Sequence, residues 1–289
     1  MELKYYEPNT QTPPINKLIC VFLGILLVLL LAFLYGIITA VNPVIYFGVI
    51  ATIGFGMLFG IFYRIASKIA KVRDRKFVLI SGIVIALLGV YFSWGAYISF
   101  QLVGIEGLFI DYITTFGFLT EIDSTTYIIS QLYGSGAWEI RGIMVKGWIL
   151  GLIWLLELGI IIYMVFKMLY TYRVGPFDER HNKWYRKFTL HDEYQSLANE
   201  RHFREIEGVS VLEKMKHFTK GRATRYGRVS IYYLEEASQG YFLYENVGRD
   251  GNGKKEETTV MIDLLTIPKN DAKSIIDTYH GKEDFYFAY

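Results

Sequence analysis

One carboxylate stands where a carboxylate is costly. Glu157 lies inside Trp154-Leu-Leu-Glu-Leu-Gly-Ile, near the middle of a stretch from Gly147 to Phe166 that is otherwise uncharged. In hydrocarbon such a group either ionises beside a cation or keeps its proton, because desolvation disfavours the charged form. One reading is a proton or cation relay, or a contact with a buried base on a partner; the plainer one is a protonated Glu hydrogen-bonded to a neighbouring helix. Ser81, Ser93, Thr52, Tyr91, Tyr97 and Trp94 are the neutral groups that could meet it, since the other apolar stretches hold no Lys, Arg or His. A transporter would show repeats, broken helices or several such polar residues.

Other chemistry-bearing residues are less promising. The single Cys20 excludes an internal disulfide and a multi-thiolate metal site, and it stands at the start of an apolar run, where a small apolar residue fits. His181, His191, His202, His217 and His280 have no metal-ligand spacing, so no metal and no cofactor are expected. Asp250-Gly-Asn-Gly-Lys opens like a calcium loop, but Lys254 occupies a position that needs an oxygen ligand and Met261 the place of the bidentate Glu. A hairpin turn explains it better. Gly248, Gly251 and Gly253 lack the strand, helix and Lys-Ser/Thr ending of a phosphate loop. Two basic groups remain as candidates for anion or lipid contact. Arg222, Arg225 and Arg228 surround Gly221 and Gly227, and Lys183, Arg186 and Lys187 stand with Trp184 and Tyr185 in a juxtamembrane stretch suited to headgroups.

The elements that must position these residues follow from composition. The 289 residues are 52% hydrophobic with mean hydropathy +0.27, and the excess is concentrated before residue 170. Nearly two thirds of the Lys and Arg lie after it. A net charge of +2 argues against a nucleic-acid partner. Four stretches, 18–40, 43–63, 77–100 and 147–166, are long enough to cross a hydrocarbon core of about 30 Å. The loop 64–76 carries Arg64, Lys68, Lys71, Arg73, Arg75 and Lys76 against Asp74 alone, which places it, and with it both chain ends, in the cytoplasm. Residues 101–146 then form an outer segment. Within it, 102–119 contains Glu106 and Asp111 and is expected to be interfacial or re-entrant rather than a fifth span, followed by a helix from about Asp123-Ser124. Gly56 with Gly60, and Gly147 with Gly151, have the spacing of close helix contacts.

Residues 171–289 are expected to form a cytoplasmic α+β domain with a small antiparallel sheet, so that the whole is an α-helical membrane bundle plus that domain. Helices are expected over Leu190–Glu207 and Val211–Lys220, the second opened by the capping pattern Ser210-Val-Leu-Glu213. Arg228–Glu236 and Gly240–Val247 read as a hairpin, Thr258–Ile267 as a third strand, and Pro268 to about Tyr279 as a helix.

Asn42-Pro-Val-Ile-Tyr-Phe with Gly54-Phe-Gly, Lys71-Val-Arg-Asp, Tyr91-Phe-Ser-Trp and Gly136-Ala-Trp resemble local patterns of a broad group of bacterial four-helix polytopic membrane proteins. The resemblance covers the membrane half and implies no activity. The expectation for function is a non-enzymatic anchor or scaffold of the bacterial inner membrane, with lipid and either protein partners or further copies around it, for instance in an envelope or secretion assembly. The rivals are a proton- or ion-conducting subunit that uses Glu157 and a ligand-sensing membrane protein.

Overall fold

The computed structural model describes residues 4–41, 45–108, 121–136, 138–140, 143–171, 174–222, 224–249 and 256–284. They form two units, one of residues 10–172 and one that joins residues 1–9 to 173–289. The boundary expected at residue 170 therefore holds at one end only. The first nine residues belong with the second unit, for a reason given below.

The first unit contains four helices long and apolar enough to cross a membrane: α1 (Pro14–Val41), α2 (Ile45–Ile69), α3 (Arg75–Leu108) and α5 (Trp148–Tyr170). Between the last two lie α4 (Ile122–Ser135) and a hairpin of β1 (Trp138–Ile140) and β2 (Ile143–Val145) that hydropathy alone does not reveal. The helices overrun the expected spans because those were cut at charged residues. Lys and Arg continue a helix with their aliphatic stems, and a base in the last turn complements the helix dipole, as Lys68 and Lys167 do. Residues 102–108 prolong α3 rather than beginning a separate interfacial segment, which makes that helix about 50 Å long at 1.5 Å per residue. Residues 109–120, the rest of that expectation, lie outside the described residues. The start of α4 is preceded by Glu121, and Ser124 donates to the Glu121 carboxylate (3.1 Å) instead of capping the helix.

Helix contacts follow from side-chain size. The buried residues of α1 are Cys20, Gly24, Val28, Ala32, Tyr35 and Gly36, a row at helical spacing. A Cβ on Gly36 would stand 2.5 Å from the Ser93 carbonyl of α3, so only glycine allows that approach. The basic turn between α2 and α3 holds helix ends together. Asp74 accepts from the Phe77 backbone (3.0 Å) and pairs with Lys17 of α1 (2.9 Å). The Arg73 backbone donates to Thr12 (2.9 Å), and the Arg75 guanidinium donates to the Tyr170 carbonyl and lies over the Tyr170 ring. The charges expected to orient the chain are thus also contacts of the bundle.

In the second unit, a five-stranded antiparallel sheet has the order β8-β7-β6-β5-β9, with β5 Arg186–Thr189, β6 Arg225–Tyr233, β7 Gln239–Arg249, β8 Glu256–Pro268 and β9 Lys282–Glu283. A small hairpin, β3 (Phe177–Asp178) with β4 (Lys183–Trp184), precedes it. Three short helices, α6 (Glu200–Glu205), α7 (Val211–Met215) and α8 (Lys269–Thr278), accompany the sheet, and residues of all three join its strands in the larger core around Phe203, Met215, Phe242, Tyr244 and Ile275. The hairpin, the third strand and the last helix stand where the residues place them. The expected helix Leu190–Glu207 does not form over its first ten residues. Leu190, Tyr194 and Leu197 have helical spacing, yet they run beside the sheet: Tyr194 and Gly227 exchange backbone bonds (2.9 and 2.6 Å), and Asn246 clamps the Leu197 backbone from both sides (3.0 and 2.6 Å). The second helix keeps its capping box but ends at Met215 rather than Lys220.

Lys214 of α7 is buried, 4% exposed, with its ammonium donating to the carbonyls of Arg204 (3.1 Å) and Ile206 beyond the end of α6. Lys214→Met leaves those carbonyls unsatisfied. It is expected to cost about 1–3 kcal/mol, read as faster amide exchange in the peptide spanning 200–216.

Residues 4–6 extend the sheet. Thr266 donates to the Lys4 carbonyl (2.7 Å), Tyr6 donates to the Leu264 carbonyl (2.9 Å), and Tyr5 bridges Leu265 in antiparallel register. Tyr6 meets the Tyr241 ring edge-on at 5.0 Å. These bonds are why the first residues count with the second unit. Leu264 adopts φ +53°, a conformation rare for a branched side chain, at an irregularity in the β7–β8 pairing. The turn in β8 brings its carbonyl to Tyr6.

Candidate functional site

Glu157 lies one turn before Ile161 on the face of α5 that buries Leu150, Ile161, Val165 and Leu169. On α2, Gly56 rests against Ile161 and Met164, and Gly60 against Val165 and Met168, with an added Cβ only 2.9 and 2.6 Å from the nearest atoms. Positions advance together along both helices, so α2 and α5 run parallel. One turn back, this register sets Glu157 level with Thr52. The second glycine pair is different: a Cβ added at Gly147, whose φ is +61°, would meet nothing within 4 Å, and Gly151 faces the Tyr133 ring of α4.

Tyr35 of α1 and Thr52 of α2 are both buried, with their hydroxyls 3.0 Å apart. Thr52 gives its proton to the Gly48 carbonyl (2.9 Å), so Tyr35 must be the donor to Thr52. Neither hydroxyl has a proton left for a carboxylate. Among the described residues no hydrogen bond or ion pair reaches Glu157. Of the neutral partners named from the sequence, Ser81 accepts from Tyr63 (2.8 Å) and donates to the Phe77 carbonyl, while Ser93 donates to the Val90 carbonyl (2.7 Å). Trp94 packs edge-on against Trp154, 4.9 Å between centroids, and against Tyr97. Tyr35 was not among the named partners, because no spacing rule connects a tyrosine on α1 to a carboxyl on α5.

From Glu157 toward Tyr170, the core is filled by Phe59, Tyr63, Val78, Ile85, Val165 and Leu169, each at most 3% exposed. A proton leaving the carboxyl in that direction meets packed apolar side chains.

The basic candidates divide. Arg228 pairs with Glu256 (2.9 Å) and donates to the Tyr226 hydroxyl; Arg249 joins the same network through Glu256 and Glu193. Lys183 pairs with Glu236, Arg186 with Glu283 (3.6 Å) and Lys187 with Asp284 (3.3 Å). These five bases, four of them candidates from the sequence, serve the domain itself. Arg222 and Arg225 bond to each other through their backbones (3.1 and 3.0 Å) at a tight turn, and their side chains are exposed. Among the described residues no three His, Cys, Asp or Glu side chains converge. Residues 250–255, with most of the calcium-like loop and two of its glycines, lie outside the described residues.

The Arg228 and Arg249 guanidiniums hold the Glu256 carboxyl below the usual carboxylate range. A group depressed in the folded state contributes stability above its unfolded value, about 4.3, and loses it as pH falls through the folded value. Glu256→Gln is therefore expected to lower the thermal midpoint of the chain in detergent at pH 7. The gap to the parent should close once the pH is below the folded value.

No protein-family model, curated protein or solved structure matches the chain.

Proposed function

We propose that the chain is a non-enzymatic anchor or scaffold subunit of the bacterial inner membrane, with both chain ends cytoplasmic, whose second unit docks partner proteins, within a multi-subunit envelope or secretion assembly. The observation that carries this reading is the pairing of residues 4–6 with Leu264–Thr266 of β8. It ties the chain before α1 into the domain that follows α5. The second unit thus takes its chain from both sides of the four long helices, at 9–10 and at 172–173, and makes a folded module of a size that can dock partners. Four crossings, an even number, would keep the two halves of the pairing on one side of a membrane. Affinity purification of the full chain from its native membrane tests the reading. A partner recovered in fixed proportion is expected; a lone monomer under mild extraction contradicts it.

A second reading, a proton- or ion-conducting subunit, draws on one observation: the Glu157 carboxylate has no partner among the described residues. Against it stand the spent hydroxyl protons and the packed side chains between Glu157 and Tyr170. Proteoliposomes holding the chain alone and loaded with a pH-sensitive dye are expected to leak protons no faster than protein-free vesicles. Glu157→Gln should leave that rate unchanged. A flux that the substitution abolishes would establish the conducting reading instead.

A further inference from the structure

Large apolar side chains are sorted very differently in the two units. Among the described residues of the second unit, only Val209 is a large apolar side chain left exposed. In the short stretch from α4 to the start of α5, Ile122, Tyr127, Tyr133, Ile143, Met144 and Trp148 are all exposed, Ile143 at 73% and Trp148 at 72%. A segment of this size facing water on all sides would not carry so many. On α4, Ile122 and Tyr133 share one face at helical spacing. In β2, Ile143 and Met144 are exposed and Val145 is buried.

These residues belong to one structure. The Gly147 backbone donates to the Tyr133 carbonyl (2.7 Å), which fixes the end of α4 to the start of α5. Tyr133 also lies against Gly151 and near Trp154. The exposed row then continues without a break from Trp148 and Ile149 into Leu152, Leu155 and Leu156 of α5, a helix long and apolar enough to span. Aromatic side chains with one polar end, here Tyr127, Tyr133 and Trp148, are the residues that favour the boundary between headgroups and acyl chains.

We propose that α4 and the β1–β2 hairpin form a lipid-binding platform that rests in the headgroup layer of the same bilayer, with Ile122, Tyr127, Ile143, Met144 and Trp148 reaching the upper acyl chains. The occupant is lipid because the patch is continuous with the lipid-facing side of α5. The segment 121–148 carries Glu121, Asp123 and Glu139 against Arg141 and Lys146, so it has no basic excess that would call for anionic headgroups.

The test uses the full chain in proteoliposomes of a zwitterionic phosphatidylcholine. Ile143→Cys and Tyr127→Cys are labelled with an environment-sensitive fluorophore, with Val209→Cys as the aqueous reference. Cys20 is fully buried, and the parent chain shows whether it takes up label. The expected result is quenching by a lipid nitroxide placed high on the acyl chain at positions 143 and 127, several-fold stronger than at 209, with little quenching by aqueous iodide. Iodide quenching equal to that at 209 overturns the proposal. Protection from both quenchers also overturns it and assigns the face to protein, a second copy included. Should a cysteine variant fail to fold, brominated lipid gives a second measurement: the tryptophan quenching lost in Trp148→Phe must be the largest share of the total, and an unchanged quenching profile refutes the platform.

Discussion

Removing residues 2–9 is expected to loosen the sheet of the second unit by about 3–4 kcal/mol. The loss has three parts. Two backbone hydrogen bonds to β8 disappear, each worth about 1 kcal/mol net. The rings of Tyr5 and Tyr6 leave their places, and each, being only half-buried, contributes about 0.5–1 kcal/mol through burial. Tyr6 also accepts from the Phe177 backbone (3.2 Å), so the β3–β4 hairpin loses a support. The left-handed turn at Leu264 persists but no longer has Tyr6 on its carbonyl, and strain of about 1–2 kcal/mol is left with less to offset it. Since whole domains are stable by about 5–15 kcal/mol, this is a large fraction. Amide exchange of the full chain in nanodiscs reads it directly: peptides from β7 and β8 should exchange roughly 100–1,000 times faster, with α1 to α3 unaffected. Unchanged exchange in β8 would mean that the first strand adds nothing, and would remove the main support for the scaffold reading.

Replacing Gly56 and Gly60 together by leucine is the second large effect expected. An added Cβ at Gly56 stands 3.0 Å from the Ile161 carbonyl of α5, and at Gly60 2.6 Å from the Met168 Cβ. The first obstacle is backbone, which cannot rotate away. Overpacking of this kind costs about 1–3 kcal/mol at each site. In lipid, where helices associate through close packing rather than hydrophobic burial, the helix must separate instead. The expected result is a lower thermal midpoint for the membrane helices in detergent and a polydisperse extract. The second unit should keep its exchange protection, because its core shares no residue with this seam. The pair Gly54→Leu and Gly159→Leu should do much less: an added Cβ at either position meets nothing within 4 Å, and neither backbone is left-handed. Equal damage from both pairs would show that the α2–α5 register described here is wrong.

How far the residues alone led differs between the two halves. The four spans are legible because an uncharged run of this length has few alternatives. Their ends are less so, since a charged residue such as Lys68 or Lys167 reads as a boundary while its stem still packs as helix. In the second unit, β6 to β8 announce themselves by their β-branched and aromatic runs. Residues 190–199 mislead because Leu190, Tyr194 and Leu197 are buried at intervals of four and three by a sheet, not by a helix face. The strand of residues 4–6 leaves no local trace, since Tyr5 and Tyr6 are recognisable as strand only beside Leu264 to Thr266. Around Glu157 the carboxyl itself was legible and its surroundings were not. Which hydroxyl gives its proton to which acceptor is settled by three helices at once. The ion pairs of Lys183, Arg186, Lys187 and Arg228 are equally nonlocal, and they turn a juxtamembrane charge pattern into domain structure.

The bond between Tyr6 and Leu264 also sets a schedule. The two residues are separated by 258 positions, with every membrane helix between them. At a synthesis rate of roughly 5–20 residues per second, the first strand waits about 13–50 s before its partner exists. Through that interval Tyr5 and Tyr6 have no sheet to enter, and β8, once made, offers an open edge until they arrive. Completion of the sheet therefore comes only after all four long apolar helices between the two residues have been made.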